Sequence, residues 1–256
     1  MSTLVEYFDR TFYPDHPKGW DDELYRQAVL RHARPDASAL DLGAGRGANP
    51  ATAFRDQVRE VFGVDVDDAV LENRDVDDAR VIEDDGRIPY EDERFDLIVS
   101  SYVLEHVEDP VAFFSEVARV LRPGGAFVAR TPNHLHYVTL IARLTPQRFH
   151  VYINEKRGRE GQDTFPTVYK ANSPGAIHRL AKQAGLEVVD IQRHDGRPEY
   201  LRFNALTYLV GLIYERISSS SRLFAWMRPL LIVELRKPWQ AADAGAAARN
   251  RSSIIA

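Results

Sequence analysis

With 38 acidic against 33 basic side chains in 256 residues, the chain has a formal net charge of -5 and offers no strong basic field to a polyanion, which argues against a nucleic-acid partner. Cysteine is absent, so disulfides, thiol catalysis, Cys-ligated zinc and iron–sulfur clusters are excluded. Hydrophobic and charged fractions of 44% and 28% are those of an ordinary globular protein, of a length that suits one large α/β domain.

In chain order, residues 1–19 mix aromatics with Pro14, Pro17 and Gly19 and read as an irregular arm without a signal peptide. From Trp20 to His32, apolar Trp20, Leu24, Ala28 and Val29 recur at helical spacing, with Asp21, Asp22 and Glu23 in the first turn, where they suit the helix dipole. The run Ala39-Leu40-Asp41-Leu42 then feeds into Gly43-Ala44-Gly45-Arg46-Gly47. This is a strand ending in a loop whose backbone must approach a ligand closely. Residues 51–58 read as a helix, 60–65 as a second strand and 66–78 as a short helix with a polar loop. Residues 79–83 form a third strand, and Phe95–Ser100 a fourth. Pro110 opens a helix running to Leu121, Pro123-Gly124-Gly125 is a stop, and Ala126–Arg130 is a fifth strand.

Strands alternating with helices predict a doubly wound parallel sheet. Residues 132–172 break that rhythm and read as a lid or substrate insertion. The rhythm resumes with Ser173-Pro174 capping a helix that ends at Gly185, then a strand over 186–191. An apolar helix over 205–217, a serine run and a last strand over 230–235 follow, and the tail from 241 is expected to be disordered. The apolar stretches are too short to span a bilayer. The expectation is a cytoplasmic protein without stable membrane insertion, one domain over 1–240, with the 205–217 helix as cap core or homodimer face.

The glycine loop needs an acidic partner at the tip of the second strand, about 20 positions on, to accept from ribose hydroxyls. Asp65 stands 22 positions after Gly43, so the expected ligand carries a ribose. Gly43, Gly45 and Ala48 also satisfy the dinucleotide fingerprint, and Tyr152 with Lys156 matches the Tyr-x-x-x-Lys pair of short-chain dehydrogenases. A nicotinamide-dependent oxidoreductase therefore stays open at this point, as does a non-catalytic nucleoside-binding protein.

Leu40 to Gly47, Asp65, Asp84-Asp85-Gly86-Arg87-Ile88-Pro89-Tyr90, Val103-Leu104-Glu105-His106-Val107 and Leu121-Arg122-Pro123-Gly124-Gly125 together resemble class I S-adenosylmethionine-dependent methyltransferases. The resemblance is close over about 36–131, the donor-binding core, and looser over 173–191. It implies an α/β, doubly wound, seven-stranded, mostly parallel Rossmann-like sheet whose last strand is antiparallel, with an inserted lid and extra C-terminal helices. It implies S-adenosylmethionine as cofactor, bound by Asp41, Gly43, Ala44, Gly45, Gly47, Asp65, Val66, Asp84, Asp85 and Ser100. The expected acceptor is a small molecule or glycan, methylated at oxygen, or a lipid-like or quinone-like molecule. A hydroxyl acceptor must lose its proton, and the candidate bases are His106, after the fourth strand, and His134, after the fifth. Ubiquinone-pathway relatives hold magnesium on Glu-x-x-Glu-His; here Tyr102 replaces the first acid before Glu105 and His106, and no metal is expected. Tyr137, Phe149, His150, Tyr152, Tyr169, Arg197, Glu199 and Tyr200 are candidate acceptor-pocket liners.

Overall fold

A computed structural model describes residues 3–14, 20–47, 54–136, 166–198, 201–202 and 204–239. Its frame is one seven-stranded sheet: β1 (Ser38–Leu42), β2 (Glu60–Asp65), β3 (Asp78–Val81), β4 (Phe95–Ser101), β5 (Leu121–Pro132), β6 (Glu187–His194) and β7 (Leu230–Arg236). The order is β3-β2-β1-β4-β5-β7-β6. All neighbours from β3 to β5 pair in parallel, and β7 runs antiparallel to both β5 and β6. The reversed last strand is the one expected. The order reverses beside β1, so the C-terminal ends of β1 and β4 border the switch-point crevice where open α/β sheets bind ligands.

Side-chain alternation splits the core between the two faces. Leu40, Leu42, Ile98 and Phe127 pack on one side with α3 (Pro110–Val120) and α4 (Pro174–Gln183). Ala39, Leu97, Val99 and Val128 pack on the other against Tyr25, Ala28 and Val29 of α2 (Trp20–Leu30). Phe95, Leu97, Ile98 and Val99 of β4 are all fully buried, as a central parallel strand covered on both faces requires. The helix starts follow their sequence signals. Asp109 Oδ1 accepts from the amides of Val111 and Ala112, and Ser173 Oγ from that of Ala176, each ahead of a proline.

Three expectations need correction. Residues 3–12 form α1, not an irregular arm. Val5, Phe8 and Phe12 sit at helical spacing and pack with Tyr13 around Tyr208 of α5 (Ala205–Ser220), while the prolines lie beyond the helix. The Pro123-Gly124-Gly125 stop lies inside β5, which begins at Leu121 opposite Phe95, and a register shift between Phe95 and Leu97 absorbs the turn. The helix expected over 51–58 appears, among the described residues, only as a 3-10 turn at Arg55–Gln57. Residues 240–256 and most of the 132–172 insertion lie outside the described residues, and with them the expected tail and lid.

Candidate active site

The cradle is built at the ends of β1 and β2. The amides of Gly43 and Ala44 both donate to Val64 O, at 2.8 and 3.1 Å, so the loop leaves β1 still strapped to β2. Gly43, Gly45 and Gly47 take φ of 89, 50 and 85°, the left-handed region that favours glycine. A Cβ on Gly43 would lie 2.2 Å from Val103 Cγ2, and one on Gly47 would lie 2.6 Å from Asn73 Oδ1. A Cβ on Gly45 would meet nothing within 4 Å. The loop is thus packed behind at its two outer glycines and open at its centre, as a surface for a closely approaching ligand must be.

Asp65 closes the loop from the tip of β2: Oδ2 accepts from Gly45 N at 2.9 Å and Oδ1 from Asp67 N at 3.1 Å. Val66 beside it is 62% exposed. The amide of Ile82 donates to Asp65 O at 2.8 Å, which brings Asp84 and Asp85 to the same end of the sheet. Both are exposed, and Asp85 Oδ1 accepts from Arg87 N, forming a local turn. Ser100, next to the end of β4, is buried, and its Oγ has no hydrogen-bond partner, an exception among buried polar atoms.

Asp41 lies in the fully buried β1. Burial, with the Asp65 charge as second cause, pushes its carboxyl up to about 7. A raised native value means that the folded protein holds the proton longer than the unfolded one. Stability is therefore lost as pH rises from the ordinary carboxylate range through about 7. Asp41→Asn should leave the ligand-free protein about 2–4 kcal/mol more stable near pH ~8 and nearly unchanged near pH ~4. Urea denaturation at both pH values checks this; an equal effect at the two would remove the burial argument.

Past β5, His134 hangs from a polar network that reaches Glu105, the neighbour of His106. Glu105 is buried, which raises its carboxyl pKa. Thr131 Oγ1 donates to Glu105 Oε2 at 2.9 Å, and Asn172 Nδ2 donates to Thr131 Oγ1 at 2.5 Å. Asn172 O lies 2.9 Å from both the amide nitrogen and Nδ1 of His134. A carbonyl can only accept, so Nδ1 carries the proton and Nε2 is the basic nitrogen. His106 Nδ1 stands in the same relation to Pro166 O at 3.0 Å. His136 is buried against Tyr214, which lowers its pKa to about 3.

Two partnerships give no local signal in the sequence. Asn73 Nδ2 donates to Ala44 O and Gly45 O, both at 3.2 Å, clamping the glycine loop from within an acidic run. Arg130 is buried between the rings of Tyr25 and Tyr102 and pairs with Asp21 and Asp22 at 3.1 and 2.7 Å. The acids at the start of α2 therefore hold a buried cation. Tyr102, at the first-acid position of the magnesium motif, has φ 58° and donates to Asp21 Oδ2 at 2.8 Å. A separate cavity of about 490 Å³ beside Phe62, Arg80, Tyr90 and Arg94 lies on the β3 flank, away from the cradle. Arg80 and Arg94 there are already paired with Asp78 and Glu60.

Residues 40–129, which span the cradle and the strands beside it, match the family described as "Methyltransferase domain". Over 198 residues, covering 74% of this chain and 69% of the relative, the chain is 30% identical to malonyl-[acyl-carrier protein] O-methyltransferase of Dechloromonas aromatica. The chain belongs to the class I S-adenosylmethionine-dependent methyltransferases. S-Adenosylmethionine is the cofactor of that family. Demethylmenaquinone methyltransferase of Beutenbergia cavernae is 38% identical over 112 residues, 42% of this chain and 46% of that protein. The chain spans less than half the length of the first curated relatives it matches. The fold is shared with geranyl diphosphate C-methyltransferase from Streptomyces coelicolor A3(2), at a TM-score of 0.55 and 18% identity over 86% of this chain and 80% of that one. With the glycine loop assigned to this family, the nicotinamide reading falls; Tyr152 and Lys156, which suggested it, lie outside the described residues. So do the acceptor-pocket candidates other than Tyr169 and Arg197.

Proposed function

We propose that this chain transfers a methyl group from S-adenosylmethionine to a hydroxyl of a small-molecule, sugar or lipid-like acceptor, with His134 as general base. The observation that carries the reading is the 2.9 Å contact of His134 Nδ1 with Asn172 O, which fixes the tautomer with Nε2 as proton acceptor at the sheet end that holds the cradle. The donor supplies an electrophilic methyl on a sulfonium, so the protein's part is placement, exclusion of water and removal of the acceptor's proton.

Gly43, Ala44, Gly45 and Gly47 present backbone to the methionine portion. Asp41, buried and with its carboxyl pushed up to about 7, takes its charge opposite the donor's cationic groups. Each oxygen of Asp65 receives one backbone N–H, which leaves lone pairs for the ribose hydroxyls. Val66 offers an apolar face to the adenine, Asp84 faces its amino group with Asp85 beside it, and Ser100 Oγ gains the partner it lacks. His106 orients the segment after β4. Relatives named for demethylmenaquinone and for malonyl-[acyl-carrier protein] agree with an acceptor carried on a larger or lipid-like body.

Calorimetric titration with S-adenosylmethionine and S-adenosylhomocysteine tests the donor half of the reading. Both should bind and NAD should not. Asp65→Ala should weaken the sulfur nucleosides by about tenfold to a thousandfold, the worth of one to three charge-assisted hydrogen bonds; unchanged affinity would remove the ribose role. A labelled-donor screen over sugars, quinones and hydroxylated small molecules tests the acceptor half.

A further inference from the structure

α5 packs Tyr208 and Leu212 on α1 but turns most of its apolar side chains outward. In a surface helix of a globular protein the apolar stripe faces the core, whereas here the bonded polar groups face inward. Tyr208 OH donates to Asp9 Oδ1 at 3.0 Å, Glu215 Oε2 accepts from Tyr13 OH at 3.0 Å, and Ser218 donates to Asp195. Gly211 lies inward as well, where a Cβ would collide with Pro198. The outward stripe is Leu206, Leu209, Val210, Ile213 and Ile217, spaced three or four residues apart and exposed by 39 to 74%. The 3-10 segment that follows, Arg222–Met227, extends it with Leu223 and Trp226, 76% and 49% exposed.

The exposed charges between Ala205 and Pro229 are of one sign. The single acid of that stretch is Glu215, which is turned inward; Arg216, which meets Glu215 at 3.6 Å and donates to Phe12 O, and Arg222 are exposed. A second copy laid on this face would set these arginines against one another, with no exposed acid from the same stretch to meet them. An anionic lipid surface complements both features: apolar side chains enter the acyl boundary, arginines meet headgroup phosphates, and a tryptophan sits at the interface. At 16 residues α5 is not long and apolar enough to cross a membrane, but it has the form of a helix lying in the interface plane.

Position gives the surface a purpose. α5 and the 3-10 segment join the end of β6 to the start of β7, at the same end of the strands as the cradle, on the far side of β4 and β5 from it. Tyr214 of α5 packs its ring 5.4 Å from that of His136, and Asn133 Nδ2 donates to Trp226 O and Arg228 O. The stripe thus adjoins the segment that carries His134.

We infer that the outward face of α5, with Leu223 and Trp226, is a docking surface for anionic phospholipid, which sets the acceptor side of the site against a membrane. Co-sedimentation of the full chain with vesicles, one set pure phosphatidylcholine and one containing a quarter phosphatidylglycerol, tests it. Binding should favour the anionic vesicles and weaken with added salt. Ile213→Glu, and independently Leu206→Gln, should lower vesicle affinity, the first by at least about tenfold. Val189→Glu, an exposed position on β6, should leave it unchanged. Both α5 variants are first shown to keep the wild-type thermal melt and affinity for S-adenosylhomocysteine. Failure of the wild-type chain to bind vesicles, or unchanged binding by both α5 variants, would overturn the inference. So would a dimer in sedimentation velocity that Ile213→Glu converts to monomer, since the face would then belong to a second copy.

Discussion

Replacing Gly43 with alanine is expected to lower thermodynamic stability by about 2–4 kcal/mol and to weaken S-adenosylhomocysteine binding by about a hundredfold or more. Two causes act together. The φ of 89° at Gly43 is one that an L side chain rarely adopts, and the added Cβ falls 2.2 Å from Val103 Cγ2. The same peptide donates to Val64 O at 2.8 Å, so it cannot rotate away without unstrapping the loop from β2. Adding Val103→Ala to Gly43→Ala separates the causes. The double variant should recover the steric share of the stability loss and retain the share due to φ. Urea denaturation and calorimetric titration read both effects; wild-type donor affinity in Gly43→Ala would show that the cradle is not the donor site.

The second large effect is expected at His134. His134→Gln should lower kcat toward a hydroxyl acceptor by about 10²- to 10⁴-fold, the range of general-base catalysis, with donor affinity unchanged. Glutamine keeps a polar group near Asn172 O but offers no basic nitrogen. His106→Gln should lower kcat by less than about tenfold if His106 has the orienting role proposed for it, since its Nδ1 contact with Pro166 O matches that of His134 and does not itself separate the two. Equal losses in the two variants, or a small loss at His134, would move the base elsewhere.

The cradle was legible because its logic is local: glycine spacing, the apolar run of β1 and the distance to Asp65 are all written between the start of β1 and the end of β2. The same holds for α3 and α4, whose starts are spelled by Asp109-Pro110 and Ser173-Pro174. What stayed hidden depends on partners distant in the chain. Helix α1 is recognisable by Val5, Phe8 and Phe12, but their meaning comes from Tyr208. The Asp21-Asp22 pair suits a helix dipole until the fold brings Arg130 beside it. Asn73 is one polar residue in an acidic run until the glycine loop folds onto it. Pro123-Gly124-Gly125 has the composition of a stop; it is the irregular stretch of β5 that both ladders skip, and it is held by Gly124 N donating to Lys237 O and Lys237 N donating to Gly125 O. His134 was a candidate by position alone; its tautomer is set by the carbonyl of Asn172.

That carbonyl gives the insertion a closed base. His134 and Asn172 stand 38 positions apart along the chain and 2.9 Å apart in space, so the two ends of that stretch of chain are held together. Closing a longer loop costs little more than closing a shorter one, since the entropy grows only with the logarithm of its length. On that ground a change in the length of the stretch between His134 and Asn172 would cost their clamp little. Under the proposed function, acceptor contacts could then change with that stretch of chain while proton abstraction stays with His134.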